Sequence, residues 1–249
     1  DYHTRKLSKR LAGHRSGNKA QATAETHGRV VLFGTCYGNY NEPQLGEDLL
    51  TVFEHNGIPV QSIKHRHCCG IPKLEMGDLD AVRRAMEQNI PALAEYVDQG
   101  WDVVAPVPSC VLMFKQELPL LFPDDPLVAK VRDAFFDPFE YLALRHKHGL
   151  LNTDFKQSLG QVAYHVPCHL RVQNIGLKTR DVLALVPGTR VDVIERCSGH
   201  DGTYAVKREH HDTAMKIGRP VVGRVKKAQA QHYSSDCPMA GHHIAKGLN

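Results

Sequence analysis

Residues 65–73, HRHCCGIPK, set two adjacent cysteines in front of a glycine, in a chain with seven cysteines among 249 residues. Neighbouring side chains on an extended backbone point to opposite sides. Adjacent cysteines seldom pair with each other, because the short ring strains the disulfide. Cys68 and Cys69 therefore read as thiols held for something else. An odd cysteine count without a secretory leader argues for a reducing, cytoplasmic setting and thiolate ligands. Sixteen histidines widen the donor set, and His67, His165, His169, His200 and His242 flank cysteines.

The cysteines recur in a repeat. GRVVLFGTC (28–36) resembles GQVAYHVPC (160–168), and GIPVQSIKHRHCCG (57–70) resembles GTRVDVIERCSG (188–199). WDVVAPVPSC (101–110) matches AQAQHYSSDC (228–237) more weakly. Cys36 precedes Cys69 by 33 positions and Cys168 precedes Cys197 by 29; the next steps, to Cys110 and Cys237, are 41 and 40. All seven cysteines fall inside the repeat, four in one copy and three in the other.

Something must position these thiols, and the intervening sequence supplies it. Residues 44–57 carry Leu45, Leu49, Leu50 and Phe53 on one helical face and stop at Asn-Gly. Residues 78–100 carry Leu79, Val82, Met86, Ile90, Leu93 and Val97 at helical spacing, with Pro91 expected to kink or restart the helix. Residues 178–188 and 212–230 occupy the matching places in the second copy, and 133–151 reads as a helix joining the copies. Strand then helix, repeated, means parallel βαβ units. The expected fold is α/β: two tandem repeats related by a pseudo-twofold, each a small, mostly parallel sheet flanked by helices. Residues 1–27 read as a basic, solvated arm or linker, 28–132 as the first repeat, 133–159 as the connection and 160–249 as the second repeat. Each cysteine closes a predicted strand, and ligands collect beyond the carboxyl ends of such strands.

Four thiolates suit zinc or an iron–sulfur cluster. The spacing is far longer than that of paired zinc knuckles. A cluster is larger than one ion, so its ligands can come from distant loops and adjacent cysteines can reach different irons. Gly34, Gly38, Gly70, Pro72, Pro108, Pro167, Gly199, Gly202 and Gly241 shape the cysteine loops. Close backbone there offers N–H groups to cluster sulfur, which help to set the potential.

The order Cys…Cys-Cys-Gly…Cys, given twice, together with HCCG and HVPCHLRVQNIG, resembles the cysteine-rich CCG-domain family over residues 28–245. That family takes in the B subunit of heterodisulfide reductase, the C subunit of anaerobic glycerol-3-phosphate dehydrogenase, the iron–sulfur subunit of glycolate oxidase, and lactate-utilisation protein A. The resemblance implies an electron-transfer subunit. Electrons would pass from a flavin-containing dehydrogenase partner to a quinone or another carrier. Members often carry a ferredoxin-like domain ahead of the repeats. Residues 1–27 hold no cysteine, and the chain opens on Asp1 rather than methionine. A ferredoxin-like domain or subunit is therefore expected among the partners.

Departures from the family pattern refine the ligand sets. Val111, Leu112 and Met113 follow Cys110, so the first copy has Cys36, Cys68, Cys69 and Cys110, the number for one [4Fe-4S] cube. In the second copy Ser198 stands where the second cysteine of the pair belongs, leaving Cys168, Cys197 and Cys237 for a second iron–sulfur cluster. His200 is the nearest candidate for a fourth ligand, with Ser198, Asp201, His169 and His242 as alternatives; a histidine ligand would raise the potential.

Net charge is +4, and the basic residues are spread out, which argues against nucleic acid. No apolar run approaches the roughly 20 residues that span a bilayer, so membrane attachment, at the inner face, is expected through a partner or the basic arm. No dinucleotide fingerprint or P-loop is present. Two other readings stay open: a disulfide reductase of the heterodisulfide type, acting at a cluster with an open iron, and a zinc-binding structural protein.

Overall fold

The structure is a computed structural model that describes residues 2–63, 67–202 and 204–248; His65 and Arg66 of the HRHCCG stretch lie outside them. Among the described residues seven short strands alternate with helices: β1 (Val30–Leu32), β2 (Val60–Ser62), β3 (Asp102–Val104), β4 (Phe135–Phe136), β5 (Gln161–His165), β6 (Arg190–Ile194) and β7 (His232–Ser235). They form two sheets, β2-β1-β3-β4 and β6-β5-β7, and every pairing described is parallel. The chain divides into two compact units, Asp1–Asn152 and Thr153–Asn249. The α/β fold read from the sequence is present, with one parallel sheet per unit. In both sheets the first strand of the copy is central and the next two flank it.

In the first unit β1 and β3 are buried along their whole length. Phe33, just past β1, packs edge-on against Phe114 at 5.1 Å, and Phe114 stacks on Phe135 at 4.7 Å. In the second unit Ala163, Ile194, Val221, Val225 and Ile244 form the core on one side of the sheet, and Tyr164, Val166 and Leu170 that on the other. The flanking helices follow their sequence signals. Helix Pro43–His55 opens on proline and closes at Asn56, with Gly57 at φ +70°. Helix Leu79–Asp98 is capped by the Asp78 carboxylate and buries Val82, Met86, Ile90 and Leu93.

Of the two outcomes expected at Pro91, a restart does not occur: helix Leu79–Asp98 runs on through it. Helix His211–Ala228, read from the sequence as one helix, likewise runs on through Pro220. Burial of the apolar face offsets the one backbone bond that each proline removes. The stretch expected as a single connecting helix holds the end of helix Pro126–Ala134, strand β4 and helix Pro138–Lys147. Asp137, before Pro138, forms a capping box with Glu140 and starts a new helix, while Phe135 and Phe136 pair with Val103 and Val104.

The N-terminal segment is mostly exposed, as expected of an arm, but it is anchored to the first unit, with Leu7 and Thr26 buried. Leu7 is fully buried, and a side chain added at Gly46 would fall inside it. The Ser8 N–H donates to Asn39 Oδ1 at 2.9 Å, Asn18 Nδ2 to the Glu54 carbonyl at 2.8 Å, and Arg10 pairs with Glu47 at 2.7 Å. Buried Arg145 donates to the Gln21 carbonyl at 2.6 Å. One leucine in a basic stretch carries no periodicity, so only its glycine seat, 39 residues on, reveals its role.

Candidate metal centre

Every cysteine lies beyond the end of a strand, and all but Cys197 lie at or beside the start of the helix that follows. Cys36 opens helix Cys36–Tyr40 after β1, Cys68 and Cys69 precede helix Ile71–Glu75 after β2, and Cys110 sits in helix Pro108–Leu112 after β3. Cys168 opens helix Cys168–Arg171 after β5, Cys197 follows β6, and Cys237 precedes helix Pro238–Leu248 after β7. Parallel strands direct all these turns to the carboxyl edge of their own sheet. All seven are thiols rather than disulfide partners.

The first unit brings its four thiols into contact. Cys36 shares a hydrogen bond with Cys68, Cys68 with Cys69, and Cys69 with Cys110. Cys69 and Cys110 are buried, Cys68 is half-buried and Cys36 is exposed. Hydrogen bonds from Cys36 and Cys69 hold the Cys68 thiol far below its ordinary range, helped by the Gly70 N–H and the Lys73 charge. The bond to Cys68 pushes Cys36 upward, and that to Cys110 pushes Cys69 upward, with desolvation adding to both. Metal ligation requires thiolates, so binding at these cysteines would displace their protons. A hollow of about 270 Å³ opens beside Cys36 and Cys68, lined also by Phe33, Gly34, Thr35, Asn39 and Tyr40.

The backbone around these thiols is shaped for them. Thr35 adopts φ 54°, an unfavourable region for a β-branched residue, and its hydroxyl accepts the Gly38 N–H at 2.9 Å. That turn aims Cys36 at Cys68, and the Tyr37 N–H bonds to the Cys36 sulfur. Asn89, buried on helix Leu79–Asp98, donates to the Cys68 carbonyl at 2.9 Å and ties down the Cys-Cys turn. Sequence reasoning missed Asn89; the signal was an amide beside the apolar stripe at Met86, Ile90 and Leu93. It also missed the π-helical turn Met113–Glu117 that follows Cys110.

The second unit differs. Cys168 and Cys197 are exposed and Cys237 is half-buried. Buried His165, the last residue of β5, ties the neighbouring loops together. Its Nε2 lies 3.0 Å from the Arg196 carbonyl and its Nδ1 2.9 Å from Ser235 Oγ. Since a carbonyl only accepts, Nε2 carries the proton. Burial lowers the His165 pKa and keeps the ring neutral. Asp236, next to Cys237, accepts from Thr179 at 2.6 Å and from the Tyr164 hydroxyl, and burial pushes its pKa up to about 6.

Ser198 is buried like Cys69, and its Oγ accepts the His200 N–H at 3.2 Å. The His200 ring is half-buried; desolvation, then the nearby His243, lowers its pKa. His242 is exposed, whereas His243 faces His200 with ring centres 6.4 Å apart. Buried Ala240 and Ile244 mark the inner face of the last helix, and His243, three residues after Ala240, shares it. That spacing was available in the sequence and distinguishes the two histidines.

The donor set of the first unit is soft sulfur alone, which suits zinc or an iron–sulfur cluster. Among the described residues, no three His, Cys, Asp or Glu side chains converge as a shell around a single ion.

Comparison with known proteins shows the family. The CCG family, described as a cysteine-rich domain, matches the chain twice, at residues 30–115 and 162–244. The chain is 30% identical over 220 residues to the C subunit of anaerobic glycerol-3-phosphate dehydrogenase from Escherichia coli strain K12, covering 88% of this chain and 55% of that protein. It is 28% identical over 225 residues to the B subunit of fumarate reductase (CoM/CoB) from Methanothermobacter marburgensis, covering 88% and 42%. With lactate utilization protein A 1 of Bacillus cereus strain AH820 it shares 30% identity over 211 residues, 76% of this chain and 83% of that one. The chain thus spans about half the length of the first two relatives.

Proposed function

This chain belongs to the cysteine-rich CCG-domain family, and from that premise we propose that it is an iron–sulfur electron-transfer subunit of a redox complex. The observation that carries the reading is the contact between the Cys36, Cys68, Cys69 and Cys110 thiols, delivered from the ends of three parallel strands. These four residues would hold one [4Fe-4S] cluster, and Cys168, Cys197 and Cys237 a second centre with His200. A bound cluster supplies one-electron storage, and the chain's own part is to hold it. Burial of Cys69 and Cys110 keeps water from one side, and the Tyr37 and Gly70 N–H groups hydrogen-bond to the sulfur of Cys36 and Cys68. Such bonds favour the more reduced, more negative state.

The named relatives include subunits of a dehydrogenase and of a fumarate reductase. They support a partner subunit that supplies electrons, read here as a flavin-containing dehydrogenase. A quinone or other carrier would be the acceptor, with a ferredoxin-like domain or subunit linking them. Among the described residues no helix is long and apolar enough to cross a membrane, so contact with the inner face of a membrane is assigned to a partner.

The test is iron and acid-labile sulfide counted per chain in anaerobically prepared protein, beside Cys69→Ala and Cys110→Ala. About four irons and four sulfides in the first unit, lost in either variant, is the expected result. Colourless protein holding about one zinc and no sulfide would replace this reading with a structural one. The hollow beside exposed Cys36 favours one second reading, reduction of a small disulfide at the cluster. Turnover of a disulfide with an artificial donor would establish it.

A further inference from the structure

The second unit has a buried serine where the first has a buried thiol, yet the space around it is furnished with imidazole. Helix His211–Ala228 brings small residues to the Cys197–His200 turn. A side chain at Gly199 would run into the Ala214 carbonyl, and one at Gly218 would lie 2.6 Å from the Ser198 carbonyl oxygen and 3.6 Å from His243 Cδ2. Gly218 is thus the joint at which the Ser198 turn and the His243 ring meet.

Two ring nitrogens at this joint are unused. His200 Nε2 and His243 Nε2 are both buried, and among the described residues neither has a hydrogen-bond partner. The rings are 6.4 Å apart and tilted by 51°, so they do not stack on one another. Buried polar nitrogen is normally paired. Two unpaired nitrogens on neighbouring rings, beside the turn that carries Cys197, mark a place for a bound group. Ser198 does not fill it, because its hydroxyl serves the His200 main chain.

We propose that this imidazole pair completes the second centre: His200 Nε2 is the ligand in the corner that Cys69 fills in the first unit, and His243 Nε2–H donates a hydrogen bond to the centre. The roles follow from position. His200 rides on the cysteine turn itself, two residues past Ser198. His243 stands on a separate helix, braced by Gly218, as a positioning residue. Nitrogen in place of a thiolate, and an added N–H, both favour the reduced state. The second centre then lies at higher potential than the all-thiolate first. This rests on the reading that the second repeat binds an iron–sulfur cluster.

The experiment uses the full chain carrying Cys36→Ser and Cys110→Ser, reconstituted with ferrous iron and sulfide, so that the second centre is observed alone. Pulsed paramagnetic resonance reads ¹⁴N couplings, and a redox titration reads the midpoint potential. One strong nitrogen coupling, lost in His200→Ala, is expected. His243→Phe should keep it, lose one weak coupling and shift the potential downward; His243→Gln, which retains an N–H, should restore both. An iron–sulfur signal without strong nitrogen coupling, or with the strong coupling lost in the His243 variants, overturns the assignment while leaving the electron-transfer reading standing. Absence of iron from the unsubstituted chain would remove that reading, and this inference with it.

Discussion

The main-chain N–H of Gly199 lies 3.4 Å from the sulfur of Cys197, two residues before it. The first unit repeats this relationship, with the Gly70 N–H bonded to the sulfur of Cys68. Both glycines have positive φ, +81° and +99°. The turn that presents the thiol also donates to it.

Alanine at the two glycines separates backbone strain from crowding. A side chain at Gly70 meets nothing nearer than Met113 Cε at 3.4 Å. Gly70→Ala should cost about 1–2 kcal/mol of left-handed strain. At Gly199 the added carbon also strikes the backbone of Ala214, with the Gly218 nitrogen 2.9 Å away. Gly199→Ala should cost clearly more, and urea unfolding of both variants measures the difference. Equal losses would mean that the second turn yields freely.

The first unit carries an acid that should shape its pH dependence. Asp102 is buried and accepts from the His27 N–H at 2.7 Å and the Tyr141 hydroxyl at 2.8 Å. Desolvation raises its pKa, although the His27 and Tyr141 bonds oppose this. A carboxyl whose folded pKa exceeds the unfolded value holds its proton longer in the folded state. Its contribution is therefore fully present below the unfolded pKa and falls as pH rises through the folded one. Asp102→Asn should flatten the stability profile above about pH 4.

His165 should act with the opposite sign in the second unit. Burial depresses its pKa. The unfolded chain then binds the proton first, so stability drops as pH falls from about 6.5 toward the folded value. His165→Phe, which installs the residue found at the matching place, Phe33, removes that dependence. It also leaves the Arg196 carbonyl and Ser235 hydroxyl without their ring partner, at a cost of about 1–3 kcal/mol each. Denaturation followed at pH 5 and pH 8 tests both effects.

The N-terminal segment should contribute measurably to the first unit. Leu7 is fully buried in the seat formed at Gly46. Leu7→Ala should cost about 2–5 kcal/mol, and Gly46→Ala should eject the same leucine. A freely solvated arm would show no change in either variant, read by protease sensitivity of residues 1–27 and by the unfolding midpoint.

Restoring the cysteine pair in the second unit is a direct comparison. Ser198 is 5% exposed and Cys69 3%, so a thiol can be accommodated at that depth. Ser198→Cys should leave iron content unchanged or higher and lower the midpoint potential of the second centre, as thiolate replaces imidazole. An unchanged potential would show that position 198 does not face the bound group.

What was legible in the sequence was the local and the periodic. Strand patterns ending in cysteine, helices at three-to-four spacing and their recurrence in two copies predicted the α/β architecture, because each signal is contained within one element or turn. The strand order decided the rest. With β1 between β2 and β3, Cys36, Cys68, Cys69 and Cys110 meet although they are spread over 75 positions of chain. Leu7 in its seat, Asn89 under the Cys-Cys turn and His243 rather than His242 beside His200 are likewise facts of packing. Each depends on a partner tens of residues away, and burial, which decides whether a polar atom needs a partner, exists only once the chain has folded around it.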